Sequence, residues 1–298
     1  MKPTSIVFLV IAALLIVGGI ITCSIAKDIA ETDGYALFHD TENGGSYVRH
    51  DFKSADVSKI ELVVTDAEIN IKGGTEESYI EFFNFRDGLY TFSTSGKVIS
   101  LDELPNLKSI LSFNSGFSFS GMRYILRAGT TNLGPKVVNI YIGPESSLKV
   151  ISVTADNCTL NADKISTQFD LNITASASSH LRFSEYRTGC ALVVDAPEIN
   201  FSLQNGYVNR LSLSAPKTVV DVREIIFNNL NIEAERGNAD FILSDSLERY
   251  SCDIRCAAIT LNDEAKGTRY EAQSTYDANA TITVNAEGMK ISFRGVTD

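Results

Sequence analysis

The sequence predicts an all-β protein: a parallel β-solenoid with about 20 residues per turn, preceded by one N-terminal transmembrane helix. Three observations lead to this fold class. Residues 5–26 form a single uncharged apolar run, short alternating apolar and polar stretches follow after residue 57, and those stretches recur at a nearly constant interval. With 298 residues, 44% apolar and 21% charged, the chain can bury a core, so disorder throughout is excluded.

The apolar run is long enough to cross a bilayer. Its 22 residues would span about 33 Å as a helix. Lys2 precedes the run, whereas acids such as Asp28 follow it. The positive-inside rule therefore predicts a cytoplasmic tail of residues 1–4 and an extracytoplasmic body. We therefore expect a single-pass protein of the cell membrane that contacts lipid through residues 5–26.

Two alternatives to a retained anchor stay open. Ser24, Ile25 and Ala26 satisfy the small-x-small rule for a cleaved signal peptide. A lipid-modified Cys23 is the weaker alternative, because Thr22 stands where a small residue is usual.

Residues 27–56 have scattered glycines and acids and no sustained period, which predicts a juxtamembrane tether. The predicted solenoid domain then covers residues 57–298, interrupted by an irregular insertion at 101–136. Its opening turns are expected within 57–100, and the strands near residues 282–293 are expected to close it.

An internal repeat predicts how the strands stack. Six apolar pairs follow one another at steps of 20, 21, 19, 19 and 22 residues, and eleven of the twelve residues that alternate with and follow them are polar. One face of each strand is therefore expected to be buried and the other solvated. The pairs are Ile151/Val153, Leu171/Ile173, Leu192/Val194, Leu211/Leu213, Leu230/Ile232 and Cys252/Ile254.

A second apolar series has the same mean period and marks a second strand in each turn. Its members are Leu160, Phe183, Phe201, Val222, Leu243 and Leu261. Two series with one period favour a coil of stacked turns over a β-sandwich, although a hairpin array remains an alternative.

The chain resembles the bacterial β-strand-repeat proteins described as candidate adhesins, a domain of unknown function. The resemblance rests on the strand pair at Lys59–Ile71, the apolar strand Val137–Ile142 followed by Gly143 and Pro144, and the 20-residue turns. It implies a right-handed single-stranded β-helix on the outer face of a bacterial membrane, and it supplies no catalytic residues.

Composition and motifs limit the chemistry. A net charge of −11 argues against nucleic-acid binding. The histidines His39, His50 and His180 are isolated, so no metal or cofactor is expected. Four external cysteines are interpreted as small buried hydrophobes, with a disulfide or metal site as the alternative: Cys158, Cys190, Cys252 and Cys256.

The enzyme alternative rests on two carboxylates. Asp195 and Glu233 are expected in one outward column, two strand spacings or about 9.6 Å apart, which is near the separation that an inverting glycosidase needs. Chance pairing on an acidic surface is the competing explanation.

The insertion provides the candidate interaction loop. It carries apolar side chains that join no repeat, which either contact a partner or cap the end of the coil. These residues are Phe113, Phe117, Phe119, Met122 and Tyr124.

The sequence thus predicts a non-catalytic, membrane-anchored binding or scaffolding module of the cell envelope. An extracytoplasmic lyase or glycosidase is the first alternative. An accessory subunit of a membrane sensor or transporter, dependent on an envelope or membrane protein partner, is the second.

Overall fold

A computed structural model describes residues 47–52, 56–85, 90–103, 135–144, 146–276 and 280–296. They belong to one compact unit, Gly45–Leu104 with Leu133–Asp298. The predicted tail, the apolar run 5–26, most of the tether and the candidate loop residues 113, 117, 119, 122 and 124 lie outside the described residues. The described strands are β1 Tyr47–Asp51, β2 Lys59–Val64, β3 Ala67–Lys72, β4 Tyr79–Phe83, β5 Tyr90–Ser95, β6 Val98–Glu103, β7 Lys136–Tyr141, β8 Val150–Asp163, β9 Asp170–Ser184, β10 Arg187–Asp195, β11 Glu198–Leu243, β12 Tyr250–Leu261, β13 Glu264–Ala272 and β14 Ala280–Arg294.

The predicted all-β class is confirmed. The strands form one 14-stranded mixed sheet, and the described helical structure is a 3-10 turn at Leu247–Arg249. Most strands alternate buried and solvated residues, as β8 does on either side of the exposed Asp156 and Asn157, because successive side chains of a strand point to opposite faces.

In the middle of the chain the strands stack in parallel and in the predicted register. Leu171 lies opposite both Ile151 and Leu192, and Leu192 lies opposite Leu211. All four side chains are at most 1% exposed, so this column is fully buried. The interval of about 20 residues therefore brings like positions of successive segments together.

Each repeat contributes two strand segments, and we call the two segments of one repeat a layer. Residues 150–155 of β8 pair with β2, whereas residues 158–163 of β8 pair with β3. We call the sheet surface that contains β2 the first side and the surface that contains β3 the second side.

A left-handed backbone corner ends the second segment of four consecutive layers. It is formed by residues that are not glycine, with φ values of 54°, 47°, 53° and 53°. The four residues are Lys164, Glu185, Asn205 and Glu224. Backbone N–H groups at these corners donate to the next layer, as Glu185 N does to Gln204 O at 3.0 Å, so the corners stay joined.

The order of the opening layers differs from the order of the chain. β2 pairs with both β6 and β8, and β3 pairs with both β7 and β8. The β2–β3 layer therefore lies between the β6–β7 layer and β8. Parallel pairing on both flanks buries the apolar side chains of the first layer, such as Ile60 and Ile69 at 0% exposed.

The prediction that β14 closes the coil is wrong. Ile282 in β14 lies opposite Leu230 in β11 on one flank and opposite Cys252 in β12 on the other. Residues 230 and 252, expected to be neighbours, are thus separated by a strand. An apolar period cannot reveal this order, because an intervening strand with the same alternation fits the same column.

The register predicted for the second apolar series is also partly wrong. Leu160 lies opposite Leu181, not Phe183, and Phe183 lies opposite Ala162 and Leu203. All these side chains are nonetheless buried, since a shift of two residues keeps a strand's inward face inward.

Antiparallel strands end the sheet, which departs from the purely parallel prediction. β1 pairs with β4 and β4 with β7, β5 pairs with β6, and β13 pairs with β12, all antiparallel. The edge strand β13 carries the ion pairs Lys266–Glu264 and Arg269–Glu271. Charged edges of this kind discourage pairing with further strands.

The period-breaking insertion begins later than predicted. Residues 101–103 belong to β6, and β7 starts at Lys136. Because Leu62 lies opposite Leu101 and Ala67 lies opposite Lys136, β6 ends and β7 begins where the neighbouring layer has the two-residue turn Thr65–Asp66.

Candidate functional site

The two predicted carboxylates lie on the first side, in one outward column. Asp195 is opposite Thr174 and Ser214, and Glu233 is opposite Asn285. Both are exposed, and neither carboxylate makes a hydrogen bond or ion pair with another described residue. The register puts two layer spacings of about 4.8 Å between their backbones.

These carboxylates stand within a larger set of polar side chains. Six neighbouring layers present outward residues on the first side, and we call the two that alternate with and follow each buried apolar pair the polar face. Within β11, the hydrogen bond from Asn228 Nδ2 to Asn209 Oδ1 at 2.9 Å shows that residues 19 apart are neighbours, which joins its two layers. Its members are Ser152, Thr154, Asn172, Thr174, Val193, Asp195, Ser212, Ser214, Asn231, Glu233, Thr283 and Asn285.

The polar face is chemically uniform. Nine of its twelve residues are Ser, Thr or Asn, and two are charged. Sequence reasoning found the alternation of these residues but, apart from Asp195 and Glu233, assigned them no role beyond solvation. The signal that could have singled them out is the scarcity of Lys and Arg in these columns.

The second side is organised differently, by a ladder of asparagine side chains. Asn161 Nδ2 donates to Asn70 Oδ1 at 2.9 Å, Asn70 Nδ2 donates to Asn139 Oδ1 at 3.0 Å, and Asn139 Nδ2 donates to Glu81 Oε1 at 2.9 Å. Glu81 also accepts from the hydroxyls of Tyr47 and Tyr141, at 3.2 Å each. The asparagine ladder thus ends at the Glu81 carboxylate, which accepts three hydrogen bonds.

An aromatic stack runs beside this ladder. The rings of Tyr79 and Tyr141 lie 4.1 Å apart at 18°, with the Arg49 guanidinium 3.9 Å from the centre of the Tyr79 ring and the Lys72 ammonium 5.5 Å from that of Tyr141. Burial, followed by the neighbouring Glu81 carboxylate, raises the pKa of Tyr141 to about 12. Cations over aromatic rings stabilise such a stack, and the sequence pattern did not predict it.

A half-buried ion pair stands at the base of the insertion. Lys136 Nζ lies 2.6 Å from Glu103 Oε1, and Thr65 donates to Glu103 Oε2 through its backbone N–H at 2.7 Å and its hydroxyl at 2.9 Å. Lys136 also donates to the Thr65 hydroxyl at 2.6 Å. This network joins the two ends of the insertion to the turn of the adjacent layer.

The four described cysteines are free, and three of them are buried. Burial raises the pKa of Cys158 to about 12 and that of Cys252 to about 11. The prediction that Cys190 points inward is wrong: a register shift between Thr188 and Ala191 leaves it half-exposed, with its sulfur 4.0 Å from Gln168 Oε1.

The two described histidines are far apart in the sheet. His50 packs edge-on against Phe92 with ring centres 5.4 Å apart, and His180 is exposed opposite Thr159 and Asn200. Within the described ranges, no three His, Cys, Asp or Glu side chains are grouped as a metal site would require. Those same ranges contain no helix with the length and apolarity of a membrane span.

Comparisons with known proteins give a likeness in structure. No protein-family model matches the chain, and no curated protein matches it. A candidate cell adhesion protein from Clostridium sporogenes is 14% identical, with 85% of this chain and 100% of that chain covered and a TM-score of 0.35.

Two further solved structures are similar at the same level. A candidate adhesin from Bacteroides fragilis is 10% identical over 84% of this chain and 97% of its own, with a TM-score of 0.41. A candidate lipid-binding protein from Parabacteroides distasonis is 9% identical over 85% and 97%, with a TM-score of 0.38. Likenesses at these values assign neither a family nor a function to the chain.

Proposed function

We propose that this chain is a non-catalytic binding module of the bacterial cell envelope, a right-handed β-solenoid of the adhesin type held to the membrane by residues 5–26. The observation that carries the proposal is the in-register parallel stack from β8 to β11, which displays polar side chains in straight outward columns. Such an extended, rigid surface can contact a partner at many points at once.

The two sides of the stack support binding over catalysis. Asp195 and Glu233 are exposed and have no described partner that would orient them, whereas a general acid needs a group placed and tuned for proton transfer. The aromatic stack on the second side turns its ring faces toward other side chains, which leaves mainly ring edges for a ligand.

The binding role is tested with the full-length chain in liposomes. Isolated envelope material, separated into a glycan and a protein fraction, is passed over these liposomes and over identical liposomes whose external protein has been removed by protease. Retention of either fraction above the shaved liposomes is expected, and equal retention by both refutes a binding role.

The same preparation tests the enzyme alternative. Release of reducing sugar ends from the glycan fraction, abolished by Asp195→Asn and by Glu233→Gln, would establish the glycosidase and overturn the non-catalytic proposal. No release above the shaved liposomes is the expected result.

The anchor is tested by membrane extraction. The chain is expected to stay in the membrane pellet at alkaline pH, and the double variant Leu14→Lys/Leu15→Lys is expected to be released, since each central lysine costs about 3 kcal/mol in a bilayer. Leu14→Ile/Leu15→Ile is the matched control. A mature protein that begins at Lys27 would replace the anchor by a cleaved signal peptide.

A further inference from the structure

The polar face has a large unused hydrogen-bonding capacity. None of its eleven polar side chains makes a hydrogen bond or ion pair with another described residue. Elsewhere in the same stack, asparagines that meet one another bond directly, as Asn70 does with Asn139 and Asn161.

The arrangement of the face explains this difference. Asn172 lies between Ser152 and Val193, so it meets no second amide. Asn231 lies opposite Thr283 without bonding to it, although the Thr281 hydroxyl donates to Asn229 Oδ1 at 3.0 Å in the same two strands. None of the hydroxyl groups of the face bonds to a side chain of a described neighbouring strand. The donors and acceptors therefore point outward as a grid, about 4.8 Å between strands and about 7 Å along each strand.

Ion pairs mark both ends of the grid. Lys59 pairs with Glu61 in β2, and Asp253 pairs with Arg255 in β12 at 3.4 Å. Between these two strands the face contains two acids, Asp195 and Glu233, and no basic residue, and the outward column beside it adds one acid, Asp170, and one base, Arg210. Charge complementarity thus selects against anionic ligands such as nucleic acids and uronic acid polymers.

The face is also unsuited to a folded protein partner. A stable protein interface has an apolar core rich in aromatic side chains, and Val193 is the single apolar member of this face. A ligand made of hydroxyl groups fits better, because each hydroxyl both donates and accepts, as do the serines and threonines it would meet.

We propose that the polar face binds a neutral linear polysaccharide that lies across the strands and hydrogen-bonds to successive layers. This inference rests on the proposed function and names its ligand class and its site. Without aromatic stacking each contact is weak, so binding depends on many layers engaging one chain.

The test is electrophoresis of the full-length chain, in a nonionic detergent, through native gels that contain one soluble polysaccharide. The neutral probes are dextran, galactomannan and hydroxyethyl cellulose, and the anionic probe is polygalacturonate. Retardation by at least one neutral probe and none by polygalacturonate is expected. The proposal is overturned if no neutral probe retards the chain, or if polygalacturonate alone does.

A face variant locates the site. The triple variant Asn172→Ala/Ser212→Ala/Asn231→Ala removes three side chains in one column, and its retardation constant should weaken about tenfold or more. The melting temperature should change little, because all three side chains are solvent-accessible and unpaired.

A matched control distinguishes the face from the surface in general. Thr159→Ala/Asn200→Ala/Gln204→Ala removes three similar side chains, also without described partners, from the second side. Its retardation should equal that of the unmodified chain, and an equal loss in both variants would overturn the assignment. If liposomes with the face variant still retain envelope material, the assignment of the glycan site to the polar face is refuted, whereas the proposed binding function is not.

Discussion

The position of β14 between β11 and β12 has a measurable energetic consequence. The rings of Phe241 and Phe293 are fully buried and stacked, 4.8 Å apart at 15°, and Phe293 also lies opposite Leu261 in β12. Phe241 and Leu261 are therefore separated by a whole strand, about 9.6 Å at the backbone. If the chain instead followed its sequence order, these two residues would be neighbours.

Double-mutant cycles separate the two arrangements. Phe241→Leu and Phe293→Leu should couple by about 0.5–1.5 kcal/mol, the range for a stacked aromatic pair. Phe241→Leu and Leu261→Ala should couple more weakly than this pair, because the two side chains do not touch and are linked only through Phe293.

The measurement is urea unfolding of the full-length chain and its variants, followed by far-UV circular dichroism. Lys290→Ala, an exposed change on β14, serves as the control and should cost less than about 0.5 kcal/mol. Coupling between Phe241 and Leu261 with additivity between Phe241 and Phe293 would refute the intercalated order.

Three further expectations concern the stack. Leu211→Asp should lower the unfolding free energy by about 3 kcal/mol or more, because it buries an unpaired charge, whereas Ser212→Asp should stay within about 0.5 kcal/mol; similar melting shifts would contradict the register. Glu185→Gly, at a corner with φ 47°, should raise the free energy of unfolding by about 0.5 kcal/mol in urea titrations. Glycine relieves about 1–2 kcal/mol of backbone strain at this corner, which exceeds the cost of the greater entropy of the unfolded chain. A lower free energy of unfolding would show that the Glu185 side chain stabilises the corner. Burial raises the pKa of Cys158 from 9.0 to about 12, so its contribution to the free energy of unfolding is full below pH 9 and falls as the pH rises toward 12. In urea unfolding at increasing pH, Cys158→Ala should flatten this fall in stability, and an unchanged slope would assign the fall to other groups. The half-exposed Cys190 should be alkylated faster than Cys158 in the native chain.

The tertiary structure alone decided how the layers are ordered at the two ends. The apolar column looks the same in sequence whether Leu230 meets Cys252 or Ile282, because each is apolar with polar neighbours. The same ambiguity shifted Phe183 by two residues within the second series. Local alternation limits a residue to one face, but the choice among equivalent apolar neighbours depends on where the whole chain runs.

The sequence by itself determined which face of each central strand is buried and how the central layers align. Alternation sets the inward face of each strand, and the constant interval puts Ile151, Leu171, Leu192 and Leu211 in one column, since a strand that slips by one residue would expose its apolar set. The candidate site, too, could be predicted only in part from the sequence. Asp195 and Glu233 could be placed in one column from spacing alone, whereas the lack of partners across the polar face and the stack of Tyr79 on Tyr141 depend on which distant strands meet, and that is a property of the fold.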